Sequence, residues 1–199
     1  MITLYHVPWS RSLRVRWLLE ELGLPYQLVT RSFAELKQPE HLALHPLGKV
    51  PVLRDDPLVL FESSAILQHL LERYGEGRLE PKPGASERSL HWQWFHYAEA
   101  TVTPPLGMIV RHTSLLPEAE RVPAVLEFAR RGAGDALGVV ERTLAGRSWL
   151  LTEFCAADVM MGYSVKLASF LGLIGEATPS LRAYLARCEE RPAWRRAVA

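Results

Sequence analysis

The sequence is poor in cysteine, with only Cys155 and Cys188 in 199 residues. Two thiols cannot build a disulfide framework, and no CxxC or CxxxxC spacing offers a metal clip or a redox dithiol. No metal or resident cofactor is therefore expected. An excess of one charge is also lacking. A formal net charge of +1 gives no broad attraction for nucleic acid or an anionic membrane, so neither is expected as a partner. No apolar run approaches the roughly 18 residues of a membrane span. The first residues, MITLYHVPWSRS, have neither the basic start nor the long apolar core of a signal peptide. These absences predict a soluble protein of a reducing, cytoplasmic setting. Internal repeats and low-complexity tracts are missing too. What remains, 48% hydrophobic and 23% charged, is the composition of an ordinary globular chain.

The first part of the chain alternates strand-like and helix-like patterns. Ile2 to Tyr5 is a short β-prone run. Leu13 to Leu22 reads as a helix with Val15, Leu18, Leu19 and Leu22 on one stripe and Gly23 as its C-terminal cap. Tyr26 to Val29 is a second strand, and residues 33 to 44 a weak, irregular helix. Val50 to Leu53 and Leu58 to Phe61 are split by Asp55-Asp56-Pro57, which has hairpin-turn chemistry. Ile66, Leu67, Leu70, Leu71 and Tyr74 then form a helical stripe that ends at Gly75. The order βαβαββα implies a parallel pair with a right-handed crossover and an antiparallel late hairpin. Residues 77–86, rich in Pro and Gly, read as a linker between a domain at 1–76 and an all-helical one at 87–199. In the latter, Ser86 is placed to cap a helix through Trp92, Trp94, Phe95 and Tyr97 that Pro104-Pro105 should kink. Further helices are expected at about 122–144, after Cys155, and from Thr178-Pro179 with Thr178 as N-cap.

Four segments, in order, carry a family likeness: YHVPWSRSLRVRWLLEELGLPY, HPLGKVPVL, FESSAILQHLLERY and FCAADVMMGY. They span most of the chain and resemble the glutathione transferases of the cytosolic type. The resemblance implies an α/β thioredoxin-like N-terminal domain, an all-α C-terminal domain and a homodimer. It implies glutathione as co-substrate, a small hydrophobic electrophile as acceptor, and a part in detoxification. Two positions depart from the family pattern. His45 stands where Asn is usual, and Cys155 where Ser or Thr is usual. A thiol is a poorer acceptor than a hydroxyl, so Cys155 is the weak half of a capping box with Asp158.

Ser63 opens the last helix of the first domain, where free N–H groups favour an anion, and Glu62 places a carboxylate beside it. The pair suits the γ-glutamyl end of glutathione, with its carboxylate and amine; the plain alternative is a helix cap beside a solvated acid. The Val50–Pro51 bond reads as trans by base rate, but the resemblance implies cis, with the Val50 backbone turned toward the cysteinyl part of glutathione. Lys49 either meets the glycine carboxylate or is an ordinary surface lysine. Three hydroxyls compete to activate the thiol. Ser10 resembles the activating serine of serine-type enzymes, Tyr5 aligns with the tyrosine of tyrosine-type enzymes, and Ser12 is either an activator or a helix N-cap. Glu99 is a candidate for the glutathione amine, and Tyr97, Met108 and His112 for the electrophile pocket. Trp92 and Phe95 read more simply as core or dimer contact. Arg11, Arg14 and Arg16 are expected on a solvated helix face, and His41 with His45 as no metal pair, since Pro46 discourages helix there. Open alternatives are glutathione-dependent peroxide reduction and a non-catalytic interaction or carrier module of the same fold.

Overall fold

Strand β1 (Ile2–His6) alternates along its length: Ile2, Leu4 and His6 are buried on one face, while Thr3 and Tyr5 are half-buried on the other. It pairs on both edges, parallel to β2 (Tyr26–Thr30) and antiparallel to β3 (Val52–Asp55), and β4 (Leu58–Phe61) closes the hairpin on β3. The order β2-β1-β3-β4, with helices α1 (Ser12–Leu22), α2 (Pro39–Leu42) and α3 (Ser63–Tyr74), is a thioredoxin-like mixed sheet. The computed structural model describes residues 1–199. It divides into two compact units, Met1–Lys82 with Glu189–Ala199, and Pro83–Cys188.

The third strand lies two residues later than its apolar run, at Val52–Asp55 in place of Val50–Leu53. Pro51 has no N–H to give the ladder, and Asp55 belongs to the strand, not the turn. Its buried carboxylate accepts from Tyr74 Oη at 2.7 Å and His69 Nε2 at 3.0 Å, tying the C-terminal half of α3 to the sheet.

In the second unit, α4 (Arg88–Tyr97) starts beyond Ser86, which takes no part in its cap. The distortion expected at Pro104-Pro105 falls earlier, in a π-helical turn at Ala98–Val102. The prolines instead sit in the first turn of α5 (Thr103–Val110), where a missing N–H costs little. The Ala98 carbonyl accepts both the Thr103 backbone N–H and, at 2.7 Å, Thr103 Oγ1, so one residue ties the π turn twice. Then come α6 (Pro123–Leu144), α7 (Ala156–Phe170) and α8 (Pro179–Glu190). Thr178 stands at the N-cap position of α8, ahead of Pro179, its carbonyl accepting from Arg182 N at 3.1 Å. Its hydroxyl, however, bonds within the turn to Gly175, and the Glu141 carboxylate of α6 takes the Ser180 and Leu181 N–H groups at 2.9 and 2.8 Å. A carboxylate is the stronger acceptor for a helix start.

Asp158 is the polar centre of the second unit. Oδ2 accepts from Cys155 N at 3.0 Å, and Oδ1 from Leu150 N at 3.1 Å and Tyr184 Oη at 3.0 Å. Burial pushes its carboxyl up to about 6, against those hydrogen bonds, which pull the other way.

A last helix, α9 (Pro192–Val198), belongs with the first unit and covers α1. Trp194 meets Trp17 edge to face at 4.7 Å, Arg191 forks onto Glu21 at 2.6 and 2.8 Å, and Arg196 reaches Glu20 at 2.7 Å. A boundary drawn along the chain at residues 77–86 does not convey this return. No helix is long and apolar enough to cross a membrane.

Two measurements follow. Asp158→Ala leaves buried N–H and O–H donors unpaired and should cost on the order of 3 kcal/mol, read as a lower urea midpoint. His91 is wholly buried with neither ring nitrogen hydrogen-bonded, and burial, then the charges of Arg88 and His96, hold it down to about 4. The fold therefore favours the neutral ring. Its contribution is complete above the unfolded value near 6.5 and is lost as pH falls toward 4. Urea titrations at pH 7 and pH 5 should show a smaller stability difference in His91→Leu than in the wild type.

Candidate functional site

Strand register decides where the chemistry sits. Tyr5 pairs with Val52, and Val52 with Phe61, so these three residues form one row across β1, β3 and β4. β4 runs parallel to β1, and β3 runs against both. The segment after β1 (Val7–Arg11), the segment before β3 (Val50-Pro51) and the start of α3 after β4 (Glu62-Ser63) thus leave the sheet at the same end. Strands are spaced about 4.8 Å apart, so the segments are neighbours within roughly 10 Å.

Each is held by local chemistry. In the first, Trp9 has φ 60°, and Ser10 Oγ donates to the Val7 carbonyl at 2.8 Å. Ser12 is not an N-cap. It is the first helical residue, and its buried hydroxyl contacts Ser10 Oγ at 2.7 Å and His6 Nδ1 at 2.8 Å. In the second, Gly48 has φ 57°, and a Cβ there would collide with the Leu36 carbonyl, which explains glycine in HPLGKVP. His41 Nε2 donates to the Lys49 carbonyl at 2.8 Å, and His45 Nδ1 accepts from Leu47 N at 3.2 Å, so both histidines brace the loop. Lys49 is exposed, Pro51 is buried, and the Val50–Pro51 bond is cis. In the third, exposed Glu62 holds the N-cap position of α3 with φ 74° and makes no side-chain capping bond, and buried Ser63 occupies the first helical position. Non-glycine residues at positive φ cost about 1–3 kcal/mol each. Two of them, Trp9 and Glu62, flank this end of the sheet.

Arg14 is the main departure from the sequence expectation. It is not on a solvated face: it is 0% exposed, and its guanidinium donates to Ser63 Oγ at 3.2 Å. The cause is α1 itself, which is covered by β1, α3 and α9 and so buries nearly every face. A fixed positive charge thus lies against the first turn of α3, reinforcing the preference of that helix start for an anion. His6 also escaped notice in the sequence. The signal was present: period-two alternation puts it on the same face as Ile2 and Leu4, a polar residue on an apolar stripe. Burial, then the Arg16 charge, hold its imidazole down to about 4, so it is neutral near pH 7.

The first unit by itself gathers Ser10, Ser12, Lys49, Val50, Pro51, Glu62 and Ser63 at one end of the sheet. Tyr5 lies in the same row but on the other face, with its ring edge-on to His41 at 6.0 Å. In the second unit, half-buried Glu99 lies in the π-helical turn Ala98–Val102, Tyr97 at the end of α4, exposed Met108 in α5, and buried His112 in a second π turn at Arg111–Leu115.

Comparison with known proteins gives this geometry a context. Residues 1–72 match the model of the glutathione S-transferase N-terminal domain. Glutathione S-transferase GstB of Escherichia coli is 31% identical over 204 residues, covering 100% of this chain and 98% of that protein. The chain belongs to the glutathione S-transferase family. Another member, the glutathione S-transferase-like protein OpS6 of Beauveria bassiana, is 30% identical, over 96% of this chain and 89% of its own. The crystal structure of glutathione transferase URE2P8 from Phanerochaete chrysosporium, solved with oxidized glutathione, superposes with a TM-score of 0.88 at 26% identity, covering 98% and 92% of the two chains. Family membership makes the row of loops the place to look for chemistry, and it leaves the role of each residue to experiment.

One such test concerns the buried pair. Ser63→Ala removes the acceptor of an Arg14 N–H and should lower stability by about 1–3 kcal/mol. Ser63→Thr, which keeps the hydroxyl, should lose less; chemical denaturation of both variants checks it.

Proposed function

We propose that this chain is a glutathione transferase that binds glutathione along the three loops, stabilises its thiolate with Ser10 and joins the sulfur to a small hydrophobic electrophile. The observation that carries the reading is the shared end of the sheet, which holds a hydroxyl, a cis-proline loop and an anion-favouring helix start side by side. The γ-glutamyl carboxylate goes to Ser63 and the α3 N–H groups, with Arg14 behind them. The amine goes to Glu62, the cysteinyl backbone to Val50 beside Pro51, and the glycine carboxylate to Lys49.

The magnitudes suffice. A free thiol has a pKa of about 8.5, and lowering it by two units takes about 2.7 kcal/mol. One hydrogen bond to a charged group supplies about 1.5–3 kcal/mol, and a helix start about 0.3–1. The thiol proton leaves to water. The sulfur pair then forms the carbon–sulfur bond, and in a substitution the leaving group departs with its bonding electrons. The engagement of Tyr5 with His41, on the sheet face away from His6 and Ser12, favours Ser10 as activator over Tyr5. Ser12 is bound on two sides within the loop, which favours a supporting place for it. A homodimer, a cytoplasmic setting and a role in detoxification belong to the same reading.

The test is an ultraviolet titration of bound glutathione, paired with turnover of a chlorodinitrobenzene. The wild type should show the thiolate band at lower pH than free glutathione. Ser10→Ala should lose that shift and fall roughly ten- to hundredfold in kcat/KM, while Tyr5→Phe stays near wild type. Binding without any thiol shift would count for a carrier, and absence of binding would end the reading.

A further inference from the structure

We propose that His6 is a positioning residue which, through Ser12, leaves Ser10 able only to donate its proton, and so aims that proton at the sulfur of the bound thiol. The proposal rests on the glutathione reading above and says how its hydroxyl is set.

The case is a proton count. A serine hydroxyl has one proton to give and two lone pairs. Ser10 Oγ lies 2.8 Å from the Val7 carbonyl, which can only accept, so the Ser10 proton points there in the free protein. The 2.7 Å contact between Ser10 Oγ and Ser12 Oγ must then use the Ser12 proton. With that proton committed, the 2.8 Å contact between Ser12 Oγ and His6 Nδ1 must use a proton on the imidazole. The longer 3.2 Å approach of Ser12 Oγ to the Val7 carbonyl competes poorly for the same proton. His6 is therefore the tautomer with hydrogen on Nδ1, and the donors run one way, from His6 to Ser12 to Ser10.

Backbone donors complete the count. Val7 N approaches Ser12 Oγ, and Ser12 N approaches Ser10 Oγ, each at 3.3 Å. Both lone pairs of each serine oxygen are then filled. Ser10 has no pair left with which to take a proton, so it cannot serve as a base toward the thiol. Its one free act is to turn its hydrogen from the Val7 carbonyl to an arriving thiolate. The other tautomer reverses the row: Ser12 would give its proton to His6, Ser10 would give its own to Ser12, and the thiolate would meet a lone pair. Burial of His6, 3% exposed at the end of β1, and the nearby Arg16 charge keep the ring from taking a second proton. A hydroxyl that already accepts is also a stronger donor, by about 10–30% per bond in such a row.

Ser12→Ala and His6→Leu break the row at different links, while His6→Asn puts an amide N–H where Nδ1–H stood. Each break should lower the acidity of bound glutathione, and kcat/KM with chlorodinitrobenzene, about two- to fivefold. Glutathione Kd should change little, His6→Asn should recover most of the loss, and the double variant should be no worse than either single one. Nitrogen-15 spectra of the histidine ring in the unaltered protein should place the hydrogen on Nδ1. Should His6→Leu fail to fold, that spectrum and the contrast of Ser12→Ala with Ser12→Thr still decide. A hydrogen on Nε2, additive losses, or His6→Asn behaving as His6→Leu overturns the proposal. A thiol shift that depends on Ser10 and ignores Ser12 and His6 overturns the relay alone. A wild type with no thiol shift removes the glutathione reading and the relay with it.

Discussion

Everything at the candidate site hangs from the pairing of β1 on both of its edges. A strand held by one neighbour can slip or fray, and a slip of one residue exchanges its two faces. With β2 on one side and β3 on the other, the row through Tyr5, Val52 and Phe61 is fixed. The loops that follow or precede those residues then share one end of the sheet. The same register sends His6 toward α1 and Tyr5 toward α2. Two candidate hydroxyl systems adjacent in sequence are thereby separated by the thickness of a sheet.

Much of this was legible in the sequence, for identifiable reasons. Period-two and period-3.6 apolar patterns are local, and the elements from β1 to α3 follow them closely. The two-residue displacement of β3 came from a proline, whose missing N–H acts on the ladder and not on hydrophobicity. What escaped were effects of distance. Arg14 reads as solvated on an isolated helix and is buried because β1, α3 and α9, the last two far along the chain, cover α1. Thr178 has the composition of a cap, yet α8 is capped by Glu141 from another helix. Capping by a distant carboxylate leaves no mark within four residues of the helix start.

At the site, residue types were legible and their partners were not. Ser10, Val50-Pro51 and Glu62-Ser63 stand out by motif. The bonds that set them, from Arg14 to Ser63 and from His6 through Ser12 to Ser10, join residues whose chemistry is unremarkable until the fold brings them together. A histidine on an apolar stripe is commonly a satisfied core residue. Here the same burial that makes it look structural also keeps it neutral, and in the proposed row its bond to Ser12 selects the tautomer.

The covering of α1 by α9 also sets an order of events during synthesis. Chains emerge from the ribosome at about 5–20 residues per second, and domains tend to fold as they appear. Residues Met1–Lys82 are complete long before Glu189–Ala199, yet Trp17, Glu20 and Glu21 wait for Trp194, Arg196 and Arg191. Until those arrive, an indole and two carboxylates of α1 face water. The sheet and its loops can form early, but the helix that carries Ser12 and Arg14 is finished by residues translated after the whole helical unit. The nascent chain therefore carries an incompletely covered first unit while residues 83–188 are made, and gains a settled α1 only once Glu189–Ala199 have emerged.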